Sequence, residues 1–76
     1  MIEELDVVAV KRDRPDLGLK AGDEGAIVLV YGEGGCEVEF VNPDGSTRVM
    51  AALPMDEIEI VWRVAEHPTS SRRALG

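Results

Sequence analysis

The chain has 76 residues, 45% of them hydrophobic but with only one Phe, one Tyr and one Trp; it predicts one small domain with an aliphatic core and no volume for a substrate cleft, which typically takes ~300–1,000 Å³. Its net charge of −7 is concentrated in residues 1–62, where Lys11, Arg12, Arg14, Lys20 and Arg48 stand against fourteen acids, a balance that repels phosphate backbones and disfavours nucleic acid as a partner. A single cysteine, Cys36, excludes an intrachain disulfide and a cysteine-rich zinc site.

Met1-Ile2-Glu3-Glu4 is acidic, where a secretory signal is basic and leads into a long apolar stretch. The first strand is expected over Leu5–Val10. A polar loop follows, Lys11–Gly22, with turn signals at Arg14-Pro15-Asp16, Gly18 and Ala21-Gly22-Asp23. The second strand is Glu24–Tyr31. Its apolar run, Ala26–Tyr31, is far shorter than the roughly 20 residues that span a bilayer, so no membrane role is expected and the location implied is cytoplasmic.

Gly32-Glu33-Gly34-Gly35 supplies the backbone freedom of a hairpin. The third strand, Cys36–Val41, alternates cleanly, with Glu37 and Glu39 on one face and Cys36, Val38 and Phe40 on the other. Asn42-Pro43-Asp44-Gly45 is the strongest turn signal, Pro43 presetting φ and Gly45 tolerating left-handed geometry. A fourth strand runs from Ser46 to about Ala52. Leu53–Glu57 suits a single 3₁₀ turn, and the last strand is Glu57–Trp62, with Ile58 and Ile60 inward. Residues 1–62 thus form the domain, with Val8, Val28, Val38, Phe40, Val49 and Ile58 in its core. Residues 63–76 read as a flexible C-terminal tail, polar and without periodicity from His67 onward.

Five close-spaced strands, a long loop after the first and a short turn before the last predict an all-β fold: a small five-stranded SH3-like antiparallel barrel. A sandwich usually needs about seven strands, and an OB-type barrel places a helix before its fourth strand, for which no helical periodicity exists. Leu5–Val10, Gly18–Val28, Tyr31-Gly32, Glu37–Phe40, Asp44-Gly45 and Leu53-Pro54 together resemble the bacterial domain of unknown function family 4926. That resemblance covers roughly residues 4–61 and implies a small SH3-like barrel with no established activity. Gly22-Asp23-Glu24-Gly25-Ala26-Ile27-Val28 is more loosely similar to the KOW motif of ribosomal and transcription-elongation proteins. This implies an alternative RNA- or ribosome-associated role, but KOW modules usually bring lysines and arginines where this chain brings carboxylates.

The chemistry-bearing residues read as structural. Cys36 shares inward parity with Val38 and Phe40 and has no neighbouring histidine in sequence to depress its pKa, His67 being the only one. The carboxylates Asp56, Glu57 and Glu59, with Glu3, Glu4 and Asp6, lack the spacing of a calcium loop and read as a solvated face. Gly32–Gly35 lies between strands, without the helix and lysine of a phosphate cradle. No catalytic, cofactor or metal site and no small-molecule substrate is expected.

The stretch Ala26–Tyr31 is apolar on both faces. With Ala26, Val28 and Val30 turned inward, Ile27, Leu29 and Tyr31 turn outward, and Met50 and Trp62 join them from neighbouring strands. Such a patch is covered by the chain's own ends or by a partner. The expectation is therefore a non-enzymatic protein–protein interaction module whose acid-ringed apolar patch binds another protein or a second copy as a homodimer.

Overall fold

The computed structural model describes residues 2–66. Five strands form as the turn chemistry and alternation dictate: β1 (Val7–Val10), β2 (Glu24–Val30), β3 (Cys36–Val41), β4 (Thr47–Leu53) and β5 (Ile58–Trp62). All neighbours are antiparallel in one sheet of order β4-β3-β2-β1-β5. A 3₁₀ turn, Met55–Glu57, precedes the last strand as expected.

The sheet is not closed: β4 and β5 are its two edges. A complete barrel would need a ladder between them. Instead Pro54 and the 3₁₀ turn carry the chain from one edge to the other within a few residues. Leu53 and Ile58, on either side of that turn, are buried in the same core, so side chains rather than hydrogen bonds span the gap.

That core lines one face and joins all five strands, through Val8, Val10, Ile27, Val38, Phe40, Leu53 and Ile58, with Cys36 beside them. Four of the expected core residues are buried, and Val49 packs partly buried against them. Each large aliphatic or aromatic side chain removed from water contributes roughly 1.5–3 kcal/mol. Leu19 joins them from the polar loop: its N–H and C=O both bond Arg14, at 3.0 and 2.8 Å, and this pinches the loop so that the leucine faces in. Gly25 lets β3 lie close, because a Cβ there would sit 2.7 Å from Val38 Cγ1 and 2.8 Å from Phe40 Cδ2.

Three bulges shift the face that each edge presents. Ile27 pairs with Val38 and Leu29 with Glu37, so Val28 is the extra residue in β2. By the same count Val61 is extra in β5 and Arg48 in β4. The bulge at Val28 overturns the alternation expected for β2. Ile27 is fully buried, not outward, and Val28 is not among the core residues. Beyond the bulge the expected parity returns, with Leu29 outward and Val30 packed against the core.

The chain ends of the domain also differ from expectation. Leu5 and Asp6 precede β1 in a turn closed by Asp6 N–H donating to Glu3 C=O at 3.1 Å, with Leu5 at φ 76°. Val64–Glu66, assigned above to the tail, form a 3₁₀ turn; residues 67–76 lie outside the described residues.

Candidate functional site

The face opposite the core is built from the strand positions that alternation leaves outward. Pairing registers order them in rows across the sheet. One row is Trp62–Val7–Ala26–Glu39–Met50, spanning all five strands, roughly 19 Å at the usual interstrand spacing. A second is Leu29–Glu37–Ala52 and a third Glu59–Ala9–Glu24. Leu29, Tyr31, Met50 and Trp62 are each between 38% and 50% exposed. Of the five residues singled out from sequence, these four reach solvent and Ile27 does not.

Tyr31 lies just past β2, and its phenol reaches back to donate to Glu37 Oε1 at 2.6 Å. That bond, to a carboxylate that prefers the phenol protonated, pushes the Tyr31 pKa up. Glu39 accepts from the Thr47 hydroxyl one strand away. Both carboxylates are half-buried among apolar neighbours and oriented by neutral donors. Glu24 and Glu59 are exposed on the same face. Among the described strands no outward register position holds Lys or Arg. Arg48, the bulged residue of β4, is drawn instead to the loop after β1, where it donates to the Gly18 carbonyl and sits 3.6 Å from Asp23 Oδ2.

Two arginines of that loop are committed elsewhere. Arg12 and Arg14 both bond Glu57, at 2.5 and 2.6 Å, and Arg14 also bonds Asp16 at 2.9 Å. The Arg12 guanidinium, and after it Arg14, holds the Glu57 carboxyl below its ordinary range against the opposing effect of desolvation. Glu57 is therefore not part of a solvated acidic face. Nor is Asp6, which is 1% exposed and accepts from the backbone N–H groups of Glu3 at 3.0 Å and Val64 at 2.8 Å.

Leu5 is a surface residue that pattern reading missed. It is 62% exposed, holds a left-handed backbone and donates its N–H to the Ile27 carbonyl at 2.7 Å. A non-glycine residue in that conformation costs roughly 1–2 kcal/mol. No local sequence signal marks it, since the strain comes from the turn that swings Asp6 inward.

Cys36 is fully buried, and burial, followed by the charge of Glu37, pushes its thiol pKa up. That is the opposite of what a nucleophilic thiolate needs. A hollow of about 250 Å³ is lined by Asp13, Pro15, Gly18, Leu19 and Lys20, and one of about 200 Å³ by Ile60, Val61, Trp62, Arg63 and Glu66. Both fall below the ~300 Å³ at which ligand pockets usually begin. Among the described residues no group of three or more His, Cys, Asp or Glu could hold a metal ion, and no helix is long and apolar enough to cross a membrane.

Among known proteins, the family model of a domain of unknown function (DUF4926) matches residues 4–60. No curated protein and no solved structure matches the chain.

Proposed function

The chain belongs to the DUF4926 family of domains of unknown function, and from its own surface we propose that it is a non-enzymatic protein-interaction module. In this reading it is a small SH3-like accessory protein of the bacterial cytoplasm that binds through the outer face of its sheet. One observation carries it: Leu29, Tyr31, Met50 and Trp62 reach solvent on the face whose rows are otherwise filled by Val7, Ala9, Ala26, Ala52 and carboxylates.

Each such side chain left in water forgoes roughly 1.5–3 kcal/mol of burial. A domain of this size has a margin of only about 5–10 kcal/mol. Contiguous apolar surface rimmed by polar groups marks interaction sites on soluble proteins. Affinity capture of host proteins by the tagged chain, with nuclease present, tests the reading in comparison with Leu29→Glu. A protein retained by wild type and lost by the folded variant supports it. Retention by both variants alike contradicts it.

A further inference from the structure

We infer that the outer face takes a cationic amphipathic segment of another protein, an assignment that rests on the interaction-module reading and names its partner's chemistry. The apolar row Trp62–Val7–Ala26 and the exposed Leu29 and Met50 would receive that segment's apolar side chains. Its Lys or Arg side chains would meet the carboxylates set between them. Glu39 lies in the same row as Met50 and Ala26, and Glu37 in the row of Leu29. Because each row holds both apolar and acidic positions, an occupant matches the face only if it is apolar and basic at once.

Charge separates this occupant from the others. A second copy docked through the same patch would be isologous. Glu24, Glu37, Glu39 and Glu59 of both copies would then be gathered into one interface, with no Lys or Arg at an outward register position on either side to offset them, and like charges brought together across an interface disfavour association. A nucleic-acid backbone meets the same repulsion. For a cationic segment the sign reverses. Two of the carboxylates are also pre-oriented, Glu37 by the Tyr31 phenol at 2.6 Å and Glu39 by the Thr47 hydroxyl, so little side-chain freedom is lost on binding.

The test uses three labelled synthetic peptides of about ten residues: alternating Lys and Leu, alternating Lys and Ser, and alternating Glu and Leu. Binding to the full chain is followed by fluorescence anisotropy and by backbone amide shifts. The Lys–Leu peptide is expected to bind, shifting Ala26, Leu29, Glu37, Glu39 and Met50, and to bind at least about tenfold more tightly than either control. The double variant Glu37→Gln, Glu39→Gln keeps acceptors for Tyr31 and Thr47 and should melt like wild type while weakening the Lys–Leu peptide about tenfold. Equal binding of the Lys–Ser or Glu–Leu peptide, or no change in the Gln variant, would overturn the assignment. Concentration-dependent dimers that Leu29→Glu dissolves would keep the interaction face and overturn the cationic partner. Outer-face amide shifts moved by Arg72→Glu with Arg73→Glu would give the face to this chain's own residues, and likewise overturn it.

Discussion

Asp6 Oδ1 accepts the backbone N–H of Val64 at 2.8 Å, joining groups 58 positions apart in the chain. Its other oxygen accepts the Glu3 N–H at 3.0 Å. One buried carboxylate therefore fastens the turn before β1 to the 3₁₀ turn after β5, on the two strands that pair at one edge of the sheet. Replacing it with alanine leaves two part-buried N–H donors without that partner, at about 1–3 kcal/mol for an unsatisfied group. Asp6→Ala should lower stability by roughly 2–3 kcal/mol in urea titration and speed amide exchange at Val64. Asp6→Asn, which retains an acceptor, should cost less. An unchanged midpoint in Asp6→Ala would refute the clasp.

Glu57 should contribute to the acid limb of the stability curve. Arg12 and Arg14 hold its folded pKa below the ordinary value of 4.5, and Arg14 likewise depresses Asp16. A depressed carboxylate contributes stability that is fully present above its unfolded pKa and is lost as pH falls through its folded pKa. Stability should therefore be flat above about pH 5 in this respect and decline from about 4.5 downward. Glu57→Gln should flatten that decline. Equally steep acid limbs in wild type and variant would assign the effect to other groups.

Gly45 sits at φ 92° and donates its N–H to the Asn42 carbonyl at 2.9 Å. A Cβ placed there meets nothing within 4 Å, so a substitution probes backbone strain without steric clash. Gly45→Val should cost roughly 1–2 kcal/mol, with Gly45→Asn milder because Asn tolerates left-handed geometry better. A valine variant with the wild-type denaturation midpoint would contradict the turn.

The outer face bears on nucleic acid directly. With Glu24, Glu37, Glu39 and Glu59 outward and Arg12, Arg14 and Arg48 engaged with Glu57, Asp16 and Asp23, no measurable binding to RNA or DNA is expected at physiological salt. Micromolar binding that falls steeply as salt rises would revive a KOW-like role.

The strands were legible in the sequence because their boundaries are chemical. Asn42–Gly45 and Gly32–Gly35 permit little else, and Cys36–Val41 alternates with charges on one face. Where both faces are apolar the alternation carries no information. Nothing in Ala26–Tyr31 distinguishes Ile27 inward from Ile27 outward; the bulge at Val28 decides it through pairing with β3. Asp6 and Leu19 escaped for another reason. Their burial depends on partners that local pattern does not reveal, Val64 at the far end of the domain and the Arg14 bridge within a polar loop. Met50 follows the regular parity of β4, Leu29 regains its expected direction only beyond the bulge, and Tyr31 and Trp62 lie at strand ends.

Binding of the Lys–Leu peptide to wild type and to Leu29→Glu, with thermal melting of both proteins, tests the outer face most directly. Leu29 is exposed and outward, so the variant should stay folded and melt within a few degrees of wild type, since surface substitutions usually change stability by about 0.5 kcal/mol or less. A binding role for the outer face requires this folded variant to lose the peptide. A folded Leu29→Glu that binds the peptide as wild type does would contradict it.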